Sequence, residues 1–151
     1  MQKSYKLVNV ITSDHWKAYH AIRRQVLWRG NEVASYDDKH EDEYLPSNHP
    51  LLLLLNENPI GTLRLDNFND GCGAVRLVAI LDGLQRQGHG RQLSSLAEDY
   101  ARNLGIKTLY VNADPEALEF YIKLGWDFYA WDAEELIDIA AQCKQMRKIL
   151  S

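Results

Sequence analysis

The stretch from Ile80 to Arg91 joins a strand-like pattern to a helix-like pattern through a turn with closely spaced glycines. Before the turn, Val75 to Leu81 is mostly β-branched and aliphatic, which favours a strand. After it, apolar residues recur every three or four positions, which is typical of an amphipathic helix. These residues are Leu93, Leu96, Ala97, Tyr100 and Leu104. The turn is therefore predicted to lie at a helix N-terminus.

This turn has the chemistry of a phosphate-binding site. The first turn of a helix leaves backbone N–H groups without partners, and Gly88 and Gly90 would let a ligand approach them. Two phosphate motifs do not fit. A dinucleotide fingerprint requires glycine where Leu93 stands, and a Walker motif requires Gly-Lys-Ser/Thr where Gly90-Arg91-Gln92 stands. These residues alone leave the identity of the phosphate ligand open.

The other periodicities predict an α/β fold with a mixed sheet, in a single domain of residues 1–151. Strands are predicted at residues 5–11, 50–56, 60–65, 73–81, 107–112, 126–131 and 145–150, and helices at 15–28, at 88–103 and after Asp114-Pro115. Short turns separate the second, third and fourth strands, which favours an antiparallel meander. The fourth strand then leads through the helix after Gly88 into a parallel crossover, followed by another helix and the C-terminal strands.

Two segments have no sustained periodicity. Residues 30–49 crowd acidic side chains together with Tyr36, His40 and Tyr44, and we interpret them either as a solvated loop or as a loop that attracts an amine. Residues 132–143 fit a helical turn or a loop. The aromatic strand predicted from Trp126 to Trp131 fits either the core or a homodimer interface.

Composition narrows the class of protein. The formal net charge is −4, which disfavours nucleic acid as a partner and favours cationic amines. Cys72 and Cys143 are far apart and fit neither a metal site nor a redox motif, so we expect reduced thiols in a cytoplasmic protein. The longest apolar run, Leu51 to Leu55, is too short to cross a membrane, and no secretory signal core precedes it.

Two ordered motifs carry a resemblance to a known family. Gln85, Gly88 and Gly90 form Gln-x-x-Gly-x-Gly, and residues 117–126 read Ala-Leu-Glu-Phe-Tyr-Ile-Lys-Leu-Gly-Trp. The first resembles the acyl-CoA signature of the GNAT superfamily of N-acyltransferases. The second resembles that family's Ala-x-x-Phe-Tyr-x-x-x-Gly-Phe segment, with Trp126 in place of the usual phenylalanine. The order of predicted elements matches the family over nearly the whole chain.

A narrower resemblance points to the ElaA-like bacterial acetyltransferases. Residues 21–27 resemble that subgroup's Ile-Arg-x-x-Val-Phe pattern, and Gly61 to Leu65 resembles its Gly-Thr-x-Arg-Leu pattern. Gly30-Asn31 departs from the Glu-Gln that often stands there, so acceptor chemistry tied to those residues does not carry over.

The resemblance implies an N-acetyltransferase that uses acetyl-CoA and a primary amine, in a small molecule or a peptide, by direct attack in a ternary complex. It implies that main-chain groups around Val78 and Ile80 pair with pantetheine and that the amides of residues 87–92 hold the pyrophosphate, with His89 presenting its backbone. It also implies that Asn112 contacts CoA, because Asp114 replaces a frequent asparagine. The cofactor-binding residues implied are Val78, Ile80, Gln85, Gln87, Gly88, His89, Gly90, Arg91, Gln92 and Asn112.

Tyr121 matches the family position whose phenol protonates the departing thiolate. The general base stays open among Asp66, Asp82, Glu43 and His49. No residues have the spacing of a metal site, so no metal is expected. The alternative to an enzyme is a non-catalytic acyl-CoA-binding module of the same fold.

Overall fold

The structure is a computed structural model that describes residues 3–28 and 36–151. Gly30-Asn31 and the rest of residues 29–35 therefore lie outside the described residues. The strands are β1 (Tyr5–Asn9), β2 (Asn48–Leu55), β3 (Asn58–Asn67), β4 (Cys72–Ile80), β5 (Thr108–Ala113), β6 (Asp127–Phe128) and β7 (Lys144–Ile149). The α-helices of the described chain are α1 (Ser13–Val26), α2 (His89–Asn103) and α3 (Leu118–Lys123).

The strands form one sheet in the order β1-β2-β3-β4-β5-β7-β6. Strands β2, β3 and β4 pair antiparallel in succession, and β4 pairs parallel with β5, which the chain reaches through α2. The predicted α/β fold, with its meander and its parallel crossover, is confirmed. β1 adds an antiparallel strand at the β2 edge, and β7 lies antiparallel between β5 and β6.

Two core clusters define the two faces of this sheet. The larger cluster contains Leu93 of α2, Tyr121 of α3 and Val111 of β5, and we name its side of the sheet the α2 face. The smaller cluster packs Tyr19 and Ile22 of α1 against the opposite side, which we name the α1 face. Because successive side chains of a strand point to opposite faces, these clusters also show where the polar strand residues point.

Two predicted elements differ in extent from the structure. The helix predicted after Asp114 begins as a 3₁₀ turn, Pro115–Ala117, and becomes α-helical only at Leu118. The strand predicted at residues 126–131 is shorter in the structure, where β6 covers only Asp127–Phe128. The amide of Tyr129 still donates to the carbonyl of Gln145 at 3.0 Å, and Trp131 donates its indole N–H to the carbonyl of Val111 at 3.1 Å.

The two segments without periodicity contain short 3₁₀ turns. Glu41–Tyr44 forms one of them, and Ala133–Glu135 and Asp138–Ala140 form two more before β7. Among the residues that the structure describes, no helix combines the length and the apolar character needed to cross a membrane.

Candidate active site

A gap opens between β4 and β5 near the centre of the sheet. The two strands pair only from Cys72 with Thr108 to Val75 with Val111, although each strand continues beyond that point. The register between β3 and β4 shifts just after this pair, and Leu77 has a φ of 52°. A bulge at that position bends β4 away from β5, so the edge of β4 beyond Val75 is open.

This gap is part of a cleft of about 1280 Å³ that reaches both faces of the sheet. The cleft brings most of the predicted site residues together. Its lining includes Val78, Ile80, Gln85, Gly88, Gly90, Arg91, Asn112 and Tyr121. The predicted residues Gln87, His89 and Gln92 do not contribute to the lining.

The N-terminus of α2 opens into this cleft. Gly88 is its N-cap residue, with a φ of 89°, and no side chain caps the helix. The first amides of the helix are thus available to a ligand, and the helix dipole favours a negatively charged one. A methyl group on Gly90 would come within 3.3 Å of the Phe120 ring, so any larger residue there would require Phe120 to shift.

The side chains of the turn stabilise its own backbone. Gln85 donates to the carbonyl of Ile80 at 2.9 Å, and Gln87 donates to the carbonyl of Gly83 at 2.9 Å. The His89 ring is 2 % exposed and its Nδ1 lies 2.8 Å from the Tyr5 hydroxyl. Its side chain is therefore turned into the protein, which leaves only its backbone for a ligand.

Tyr121 presents a buried hydroxyl in the same cleft. The side chain of Tyr121 is 6 % exposed, and its ring packs edge-on against Phe120 and Trp126. Its hydroxyl has no hydrogen-bond partner in the described part of the chain. Burial raises the pKa of this phenol well above its ordinary value, and the nearby Cys143 and Asp114 raise it further. Tyr121 therefore holds its proton at neutral pH and has that proton available to a group in the cleft.

Two of the four candidate bases are held by arginine side chains. The Asp66 carboxylate lines the cleft but accepts hydrogen bonds from Arg64 at 2.7 and 3.0 Å and from Arg76 at 3.0 Å. Glu43 is 4 % exposed; burial would raise its pKa, but the guanidinium groups of Arg23 and Arg64 hold it below its ordinary value. A carboxylate held in this way is a weak proton acceptor.

Glu43 and the two other candidates, His49 and Asp82, lie outside the lining of the cleft. His49 stacks edge-on against Tyr100 and lies 3.2 Å from the Tyr100 hydroxyl, and burial lowers the pKa of its imidazole. Asp82 is half-buried in the turn that follows β4. The general base thus stays unassigned.

A row of polar side chains crosses the α1 face of four neighbouring strands, and the sequence analysis did not identify it. Arg64 and Asp66 lie in β3, and Arg64 is opposite Arg76 of β4. Asn112 of β5 lies opposite Gln145 of β7. Val75, Val111 and Met146, their chain neighbours, belong to the core on the α2 face, so these polar side chains point the other way. In the sequence Leu63-Arg64-Leu65-Asp66, leucines alternate with charged residues, and this alternation could have predicted a row of charges on one face of the strand.

Two acidic residues from outside the sheet complete the row. Glu43 accepts from Arg64 at 3.0 Å, from the Tyr19 hydroxyl at 2.9 Å and from Arg23, so it is part of a buried network and not of a solvated loop. At the other end, Glu135 is bound by both terminal nitrogens of Arg76. Opposite charges thus alternate from α1 to the mouth of the cleft.

Asn112 belongs to this row, and protein groups occupy both ends of its amide. Its Nδ2 donates to Glu135 at 3.1 Å, and its Oδ1 accepts from Gln145 at 3.0 Å. Its expected contact with CoA remains a prediction, and making it through the side chain would require one of these bonds to break.

Comparison with known proteins gives one family and one fold. The model of the acetyltransferase (GNAT) family matches residues 11–126. A Lactobacillus plantarum structure provisionally described as an N-acetyltransferase shares 22% identity at a TM-score of 0.77, covering 98% of this chain and 99% of the other. An acyl-CoA N-acyltransferase from Pseudomonas aeruginosa shares 17% identity at a TM-score of 0.76, covering 97% and 99%.

A third similar structure contains a ligand. PaiA N-acetyltransferase from Thermoplasma acidophilum, solved in complex with coenzyme A, shares 13% identity at a TM-score of 0.69 and covers 97% of this chain and 99% of its own. Identities this low show a shared fold. The narrower ElaA-like resemblance stays a prediction.

Proposed function

Because this chain belongs to the GNAT acetyltransferase family, we propose that it transfers the acetyl group of acetyl-CoA to a primary amine by direct attack in a ternary complex. The observation that carries the proposal is the cleft between β4 and β5. It joins an uncapped helix N-terminus, an open strand edge and the phenol of Tyr121, which has no partner among the described residues, in one space. We further propose that residues 1–151 are one domain, since β1 to β7 share a single sheet.

The donor half of the reaction uses the α2 face. The amides that follow Gly88, together with the exposed Arg91, would hold the pyrophosphate of acetyl-CoA. Main-chain groups from Val78 to Ile80 would pair with the pantetheine arm, as an added strand pairs with a sheet edge.

Proton transfer completes the reaction. An ammonium acceptor loses two protons in becoming an amide, and the departing CoA thiolate takes up one. The balance is therefore one N-acetyl amine, one free CoA thiol and one proton released to solvent. We propose that Tyr121 donates the proton to the sulfur and is then reprotonated, because its hydroxyl is protonated, buried and without another partner among the described residues.

Two measurements test this proposal. Isothermal titration with acetyl-CoA reports the donor site, and thiol release over spermidine, L-lysine, kanamycin and a peptide with a free N-terminus reports transfer. We expect acetyl-CoA to bind and at least one amine to release thiol. Binding without thiol release on any amine would favour the non-catalytic acyl-CoA-binding module, and absence of acetyl-CoA binding would contradict both functions.

The helix N-terminus gives a second prediction. We expect Gly88→Ala to weaken acetyl-CoA binding roughly tenfold or more, because the methyl group and the strained φ disturb the amides that hold phosphate. Gly71→Ala is the matched control. Gly71 has a φ of 90° and equally open surroundings, but it lies outside the cleft.

Both variants should lose a similar amount of stability, about 1–2 kcal/mol from left-handed backbone alone. Isothermal titration and urea unfolding measure the two effects separately. Equal Kd values for acetyl-CoA in the two variants would remove Gly88 from the donor site.

A further inference from the structure

We propose that Glu135 binds the protonated amine of the acceptor and holds it at the gap between β4 and β5, an inference that rests on the proposed function. Glu135 lies at the end of the polar row, in the 3₁₀ turn Ala133–Glu135, and it lines the cleft. The binding site it forms is for a primary ammonium group.

The carboxylate of Glu135 has one acceptor position left over. Its Oε1 accepts from Asn112 Nδ2 at 3.1 Å and from Arg76 Nη1, and its Oε2 accepts from Arg76 Nη2 at 3.0 Å. Two carboxylate oxygens offer about four acceptor positions, so one on Oε2 is open. The side chain is 25% exposed, and Glu135 lines the cleft.

The other two carboxylates of the row cannot serve in the same way. All three carboxylates accept three hydrogen bonds from protein groups, but the side chain of Glu43 is only 3% exposed and that of Asp66 only 8%, against 25% for Glu135. Glu135 is the one of the three that an incoming amine can reach.

The turn that carries Glu135 is fixed to the sheet. Gln145 accepts from the amide of Asp132 at 2.9 Å and donates to the carbonyl of Asp132 at 2.6 Å. The same Gln145 donates to Asn112, which in turn donates to Glu135. The carboxylate is thus oriented before any ligand binds. A preoriented carboxylate positions an amine more precisely than a mobile one.

The position of Glu135 also matches the geometry that transfer requires. Its partners Arg76 and Asn112 point to the α1 face, whereas Tyr121 and the uncapped helix N-terminus belong to the α2 face. An amine held by Glu135 and a thioester held at the α2 face would therefore approach the gap from opposite sides. Oε2 would accept one N–H of the ammonium while another proton leaves to solvent before the nitrogen attacks.

Glu135→Gln tests the inference because it keeps the shape of the side chain and removes its charge. The readout is the Kd of the most active amine of the four named above, measured by isothermal titration against the protein–CoA complex, in which no transfer occurs. We expect the Kd to rise about tenfold or more, since hydrogen bonds to charged groups are the strong ones. The Kd for CoA should stay within about twofold.

Asp138→Asn is the matched control, because it removes the same charge three positions away. Asp138 is exposed and, unlike Glu134, lies outside the lining of the cleft. We expect its amine Kd to equal that of the unmodified protein. An equal rise in both variants would indicate a long-range effect of charge and would overturn the inference, as would an unchanged Kd in Glu135→Gln.

A measurement on the unmodified protein keeps the inference falsifiable if Glu135→Gln does not fold. The amine should bind the protein–CoA complex more tightly below its own pKa than above it, because the carboxylate selects the ammonium form. Tighter binding above that pKa would overturn the inference. Failure of the unmodified protein to release thiol with all four amines would contradict the proposed function. If the unmodified protein releases thiol but Glu135→Gln binds the amine with an unchanged Kd, only this inference is contradicted.

Discussion

Tyr121→Phe is expected to lower kcat for acetyl transfer about a hundredfold or more while the Kd for acetyl-CoA stays within about twofold. The substitution removes one oxygen atom and leaves the ring in its contacts with Phe120 and Trp126. Because the hydroxyl bonds to no other described residue, its loss should cost little stability. Stopped assays of thiol release, together with isothermal titration, measure the two quantities.

Tyr110→Phe is the control for this variant. Tyr110 loses the same atom, but it lies on the other face of the sheet, stacked against Tyr129 and Trp131 and outside the lining of the cleft. Its kcat should not change. An unchanged kcat in Tyr121→Phe would show that another group protonates the thiolate.

The pH profile supplies an independent check on Tyr121. The active form of a general acid is its protonated form, and burial, with Cys143 and Asp114, raises the pKa of Tyr121 above the ordinary value of 10.0. The alkaline loss of kcat that an ordinary tyrosine would cause near pH 10 should therefore be shifted to higher pH. A fall in kcat centred on the ordinary phenol value would contradict the environment that the structure gives this side chain.

The fold, and the residues proposed for the donor half of the site, followed from local patterns in the sequence. The change of period around Gly88, the leucines of β2 and the Asp114-Pro115 helix start each depend on residues close together in the chain. Such patterns indicate an element wherever the rest of the chain lies. They placed the uncapped helix, the open strand and Tyr121 in the right order, and topology then brought them into one cleft.

The proposed acceptor half did not follow, because its residues lie far apart in the chain. Arg76 and Glu135 are 59 positions apart, and Glu43 and Arg64 are 21 apart. Nothing local distinguishes Glu135 from the exposed acidic residues beside it. For the same reason the acidic stretch that contains Glu43 looked like an exposed loop, although the partners of Glu43 on α1 and β3 bury it.

The largest expected effect on stability comes from that buried network. We expect Glu43→Ala to lower the free energy of unfolding by about 3–5 kcal/mol, because it leaves the buried guanidinium of Arg23 without its carboxylate and removes one partner each from Arg64 and Tyr19. Glu57→Ala is the control. Glu57 pairs with Lys6 at 2.8 Å, but the side chains are 70% and 58% exposed, so its loss should cost about 0–1 kcal/mol.

Urea unfolding at neutral pH and in acid measures both variants. Because Arg23 and Arg64 hold the pKa of Glu43 below its ordinary value of 4.5, this carboxylate stabilises the fold above that value. Its contribution is lost as the pH falls through the lowered pKa of the folded state. The difference in free energy between the unmodified protein and Glu43→Ala should therefore shrink in acid, whereas a difference that is independent of pH would mean that Glu43 acts through packing and not through its charge.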